Sequence, residues 1–270
     1  RRDVGAVTVP LLRDLVDDAG LFPPAGLPMG VALARHRADD ARRHPMLTHR
    51  FLCPASRWAE LVAACEPDDR LRVGLILDAA PPAAVDPRCV VEQAEVAVRP
   101  GADLPGDLPW PVYVEPVRGP GWLDVVAELA ARGLGAKVRC GGPTAQAFPA
   151  PAELVAFIRT CVRAGVPFKA TAGLHHALPY TDPDTGLRHY GYLNVLLAAA
   201  RAVDGAPEPD VHEAVRDPHP VDAVRRLPAE VAIRTRRLLV SYGSCSTEEP
   251  IADAVALGLA EGAGHELAHG

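Results

Sequence analysis

The 270-residue chain has no apolar run approaching the roughly 18 residues that a membrane-crossing helix needs. Its opening stretch, RRDVGAVTVPLLRDLVDDAG, carries too many acids for a signal peptide. A soluble, cytoplasmic protein with no membrane partner is therefore expected. Excess positive charge is also missing: the formal net charge is -6 and the arginines are scattered among acids, so no basic footprint offers itself to nucleic acid. The six cysteines (Cys53, Cys65, Cys89, Cys140, Cys161, Cys245) form no CxxC pair, and a chain of this size needs no disulfide staples, so they are expected as reduced thiols. There is no GxGxxG or P-loop pattern after a strand to support nucleotide binding. No HxH or HExxH spacing marks a metal centre, and neither a metal nor an organic cofactor is expected.

What is present is an alternation. Hydrophobic residues make up 49% and charged residues 23%, enough apolar material for one large core. Short apolar runs that end in polar or small residues are followed by stretches rich in alanine, leucine and charge. In order the runs are AGLFPPA, HRFLCPA, LRVGLIL, VEQAEVAV, PVYVEPV, GAKVRCGG, VPFKATAGL and RLLVSYGSCS. Helix candidates such as SRWAELVAACE, GWLDVVAELAARG, PAELVAFIRTCVRAG and LNVLLAAARAVDG lie between them. Strand–helix units in this number predict a (β/α)8 barrel rather than an open doubly wound sheet. One domain over residues 1–270 is expected, with an irregular insertion at 175–191 and an irregular stretch at 205–236. A homodimer is the default assembly for such a barrel.

Alternate strand residues face opposite sides. VEQAEVAVR places Ala94, Val96 and Val98 on one face and Gln93, Glu95 and Arg99 on the other. PVYVEP pairs Tyr113 with Glu115, and GAKVRCGG pairs Lys137 with Arg139. Barrel chemistry collects at the C-terminal ends of strands, so inward charge on three neighbouring strands points to a site. On adjacent expected strands, Lys137 and Lys169 are neighbours. Burial and like charge both disfavour an ammonium, so one of the pair is expected to titrate below the ordinary lysine range. A neutral amine attacks a carbonyl to form an imine, which eases cleavage or formation of an adjacent carbon–carbon bond, and the second lysine with Glu95 or Glu115 moves protons.

The same segments resemble, in order, the deoxyribose-phosphate aldolase group of class I aldolases. LVDDAGLFPPA resembles that family's first strand and turn, FLCPASRWAELVAA its second strand and helix, LRVGLILD its third strand, and VEQAEVAVRPGADL the strand with its catalytic acid. GAKVRCGG sits where the Schiff-base lysine strand belongs, FKATAGL where the second lysine belongs, and VSYGSCS where a small-residue anion-binding strand belongs. The resemblance implies Lys137 as imine former, Lys169 as its electrostatic partner and Glu95 as the acid. It further implies Gly173, Gly243, Ser244 and Ser246 around an anionic group, with no cofactor required. The chain departs from the family pattern in three places. Val138, Arg139 and Cys140 stand where small hydroxyl residues follow the family's lysine, glutamate replaces aspartate at 95, and HHALPYTDPDTGLRHYGYLN replaces a quick turn into a helix.

The expected activity is thus a lyase of class I aldolase type on a small anionic carbonyl substrate, catalysed by Lys137, Lys169, Glu95 and Glu115. Arg139, Gly173, His175, His176, Gly243, Ser244 and Ser246 are the expected substrate contacts. Arg139 offers a bidentate fork to a carboxylate or phosphate, or else an ion pair to a neighbouring glutamate. Two other classes fit the residues. In one, a metal-dependent hydrolase or isomerase uses His175, His176 and a carboxylate; in the other, the barrel binds a ligand without chemistry. Cys245 reads as a nucleophile with a histidine base or as a buried thiol. Asp17 and Asp18 read either as helix-end charges or as groups turned into the pocket, and Gly141-Gly142 reads as a turn after the sixth strand.

Overall fold

The computed structural model describes residues 8–262, so the ends of the expected 1–270 domain lie outside the described residues. Eight parallel strands close on themselves. In chain order they are β1 (Val16–Asp18), β2 (Leu47–Pro54), β3 (Leu71–Ile76), β4 (Cys89–Val98), β5 (Val112–Pro116), β6 (Gly135–Arg139) and β7 (Phe168–Thr171). A separate antiparallel hairpin follows, β8 (Tyr180–Thr181) with β9 (Arg188–His189). The eighth barrel strand, β10 (Leu239–Ser244), pairs with both β7 and β1 and completes the closure. This is the expected (β/α)8 barrel.

The helices are α1 (Met29–Arg42), α2 (Trp58–Ala64), α3 (Val125–Arg132), α4 (Pro151–Ala164), α5 (Tyr192–Val203), α6 (Glu208–Arg216), α7 (Val221–Arg225), α8 (Ala229–Leu238) and α9 (Glu248–Ala256). No helix among the described residues is long and apolar enough to cross a membrane. In α4 the sequence shows each boundary. Pro151 occupies the first turn, where its missing N–H costs nothing, and Glu153 accepts the Ala150 N–H at 2.7 Å. Gly165 stops the helix at φ 65°. Leu154, Val155, Phe157, Ile158 and Cys161 then face the sheet, where the Phe157 ring meets Trp122 and Phe168.

Three expectations need correction. The first strand is Val16–Asp18, just ahead of AGLFPPA, because Pro23 and Pro24 have no N–H to give a ladder. The stretch at 205–236 is largely helical, in α6, α7 and most of α8. Its prolines start these helices instead of interrupting them: Pro207, Pro220 and Pro228 each stand at an N-cap. The 175–191 insertion contains the β8–β9 hairpin. The β3–β4 and β4–β5 connections carry no helix, consistent with the prolines at 81, 82 and 87 and at 100, 105, 109 and 111.

Candidate functional site

The barrel interior is not the usual stack of branched apolar side chains. A column of alternating charge runs through it. At the N-terminal end Arg72 Nε meets Glu92 at 2.6 Å, and the other oxygen of Glu92 meets Arg50 Nε at 3.0 Å. Arg50 reaches Asp17 Oδ1 at 2.8 Å, and Asp17 Oδ2 receives Lys169 Nζ at 2.6 Å. Lys169 also donates to Glu95 Oε1 at 2.6 Å, while Glu95 Oε2 receives Lys137 Nζ at 2.8 Å. Lys137 lies 3.2 Å from Glu115, whose other oxygen accepts Arg139 Nε at 2.9 Å.

Strand register builds this column. Lys137 on β6 is paired with Lys169 on β7, and Glu95 on β4 is paired with Tyr113 on β5. A bulge at Glu92 breaks the β3–β4 register between the Val73↔Val91 and Gly74↔Gln93 pairs, and Glu92 turns to the two arginines. Gly74 leaves the room: a Cβ there would sit 2.5 Å from Leu52 and 3.1 Å from Arg50. Neutral donors complete the shell, with Thr48 and Ser241 hydroxyls donating to Asp17 at 2.7 and 2.8 Å and the Gln93 amide donating to Glu95 at 2.9 Å. The Tyr113 ring centre lies 5.6 Å from Lys169 Nζ.

Asp17, Glu95 and Lys169 are almost wholly enclosed, and Lys137 is only 6% exposed. Burial pushes the Glu95 carboxyl upward, but the charges and hydrogen bonds of Lys137 and Lys169 outweigh it and hold the group at about 2. Asp17 and Glu115 are held below the usual carboxylate range in the same way, by Lys169 and Arg50 and by Lys137 and Arg139. Lys137 corrects the expectation of a lowered lysine. Burial pulls it down, yet Glu95 and Glu115 together raise it above its ordinary value. With two carboxylates beside it, the resting amine is an ammonium ion.

The other expected residues divide. Gly243 faces the interior, where a Cβ would lie 3.0 Å from Leu52 and 3.7 Å from the Thr171 hydroxyl. Ser244, one residue on, turns to the outer face by strand parity, and its buried hydroxyl has no partner. Ser246 accepts the Glu249 N–H at 3.2 Å at the start of α9, so it serves that helix. Gly173, at φ 72°, packs against Gly141, where a Cβ on either would meet the other's backbone. Gly141 is thus a close-contact glycine as well as part of a turn.

His175 and His176 separate in the bent chain that follows β7. His176 meets Asp253 of α9 at 3.1 Å, away from the lysines. Burial lowers His175 to about 4, and its Nδ1 lies 3.6 Å from Cys245. Burial likewise raises the Cys245 thiol, the reverse of an activated nucleophile. Among the described residues, no three His, Cys, Asp or Glu side chains converge as a metal-ligand set. All six cysteines are buried free thiols.

Asp17 takes the second of its two readings and turns into the interior, and Arg50, Arg72, Thr48, Ser241 and Glu92 join the column beyond the expected residues. Period-two reading of LTHRFLCP would have aligned Thr48 with Arg50. A plainer signal lies in composition: the chain contains two lysines in all, and both are in this column, while the other 26 of its 28 lysine and arginine residues are arginine. In comparisons with protein-family models, curated proteins and solved structures, none matches this chain.

Proposed function

We propose that the barrel is a lyase of class I aldolase type, forming or breaking a carbon–carbon bond beside the carbonyl of a small anionic substrate through an imine on Lys137. The observation that carries this reading is the placement of the only two lysines. Arginine supplies the other 26 of the chain's 28 lysine and arginine cations, and it fills ion-pair roles at least as well. Only a lysine amine can shed its proton and attack a carbonyl carbon, and Lys137 and Lys169 stand side by side on Glu95.

The resting ammonium must first lose a proton. Glu115 is the group to take it, because its low pKa depends in part on Arg139, whose side chain is 47% exposed at the C-terminal mouth. An anionic substrate that draws Arg139 away leaves Glu115 with one cation fewer and a stronger appetite for the Lys137 proton. The neutral amine adds to the carbonyl carbon, and water leaves to give the iminium. Cleavage then sends the electrons of the breaking carbon–carbon bond to the iminium nitrogen, while a base accepts the proton of the β-hydroxyl, whose oxygen becomes the carbonyl of the released fragment. Protonation of the enamine and hydrolysis return the amine. Lys169, bound between Asp17 and Glu95, supplies a fixed positive charge beside these steps.

The test is borohydride trapping with a panel of small aldehydes and ketones, followed by peptide mapping. A carbonyl-dependent adduct on Lys137 is the expected result. An adduct on Lys169 exchanges the two roles, and no adduct with any carbonyl defeats the reading. One observation favours a second reading, a barrel that binds an anionic ligand without chemistry: both lysines are held in ion pairs and Lys137 is raised rather than lowered.

A further inference from the structure

The opposite end of the barrel holds a cavity of about 630 Å³. It is lined by the segment before β1, by residues near the N-terminal ends of β2, β3, β5 and β10 together with Gln93 of β4, and by the last turns of α8. We infer that this cavity binds a small multivalent oxyanion, a compound bearing two or more phosphate or carboxylate groups, at a site distinct from the lysines and independent of the lyase reading.

Charge is the first argument. Arg13, Arg50, Arg72, Arg236 and Arg237 line the cavity, against one acid, Asp14. Arg50 and Arg72 are compensated by Asp17 and Glu92. The ion pairs among the described residues include none for Arg13, Arg236 or Arg237. Three guanidinium groups therefore line one cavity with a single carboxylate, that of Asp14, and a mobile counter-anion is what would balance them.

Arg236 is the second argument. Its guanidinium donates to the carbonyl oxygens of Asp14 at 2.8 Å, Val240 at 2.7 Å and Arg13 at 3.3 Å, and also to that of Leu239. Its Nε is enclosed with no partner. Burial lowers this arginine to about 10 and outweighs the charges of Asp14 and Asp17, neither of which forms an ion pair with it. The carbonyls fix the group in place before any ligand arrives, and Arg13 and Arg237, both exposed, can close on an anion from solution. The volume suits a metabolite-sized ligand.

Isothermal titration of the full chain at constant ionic strength tests the inference, with inorganic pyrophosphate and propane-1,2,3-tricarboxylate as probes. At least one probe is expected to bind saturably, one per chain, and the probe that binds more tightly assigns the site to phosphate or carboxylate. The Arg13→Ala/Arg237→Ala double variant changes two exposed side chains and is expected to weaken that binding tenfold or more, with an unchanged melting curve. Arg139→Ala, at the other mouth, is expected to leave it within twofold. Failure of both probes to saturate overturns the inference, as does wild-type binding by the double variant. Loss of binding in Arg139→Ala also overturns it by placing the anion at the lysine end.

Discussion

The two halves of the charged column meet at Asp17 and use acids of the same kind, aspartate and glutamate, but different bases. From the N-terminal end to Asp17 the cations are Arg72 and Arg50; between Asp17 and Glu115 they are Lys169 and Lys137, and only at the exposed mouth does Arg139 return. Both halves satisfy their carboxylates by contacts of 2.6–3.2 Å. Charge balance therefore does not explain the choice of base. Against the pull of burial, Asp17 and Glu92 raise the Arg50 guanidinium above its already high ordinary value, so it keeps its proton, whereas an amine can give one up. The lysine half differs from the arginine half in the one property that imine chemistry needs.

The largest expected effect breaks that comparison directly. Lys137→Arg keeps a cation between Glu95 and Glu115 and removes the amine. Borohydride-dependent labelling at residue 137 should vanish, and turnover on any substrate that labels the wild type should fall by roughly 10,000-fold or more. A Lys137→Arg protein with intact turnover would leave the two halves chemically equivalent.

Next in size is the cost of breaking the column at each half. Glu95→Gln takes the shared carboxylate from two buried ammonium groups and should lower unfolding stability by about 3–5 kcal/mol. Glu92→Gln removes the matching acid from the arginine half, where the Arg72 side chain is 47% exposed to water and the more buried Arg50 keeps its second acid, Asp17. Its cost should stay near 1 kcal/mol or less. Urea midpoints of the two variants decide the matter, and equal losses would show that burial does not separate the halves.

The halves were unequally legible in the sequence. Strand parity brought Gln93, Glu95, Glu115, Lys137 and Arg139 together because β4, β5 and β6 are long enough to show a period of two, and it paired the lysines across β6 and β7. Asp17 sits on a strand of three residues, too short for any period, so its two readings were settled only by closure of β1 against β10 and β2. Arg50 looked like one scattered arginine among many. The same parity argument, carried one step further along β10, separates Gly243 from Ser244. His176 was drawn to Asp253 by packing of α9, a tertiary contact with no local trace. Pro207, Pro220 and Pro228 hid three helices because a proline at an N-cap and a proline in a loop look alike without their neighbours.

The pH dependence of stability sharpens the comparison with the smallest effect. Glu95 ordinarily titrates at 4.5 and is held at about 2 in the fold, so between those values the unfolded chain binds more protons than the native one. Its contribution is fully present above 4.5, is lost as pH falls toward 2, and amounts to something on the order of 3 kcal/mol. Lys137 has the opposite sign: raised from 10.5, it stabilises fully below that value and loses its contribution as pH rises through its folded value. The lysine half should therefore be tightest between about pH 5 and pH 10. Urea midpoints measured from pH 6 to pH 2 should fall more steeply for the wild type than for Glu95→Gln, whose remaining slope comes from Asp17, Glu115 and the outer carboxylates. Identical slopes would mean that Glu95 meets no more positive charge in the native barrel than in the unfolded chain, and the two ammonium groups would then need another counter-charge to stay buried.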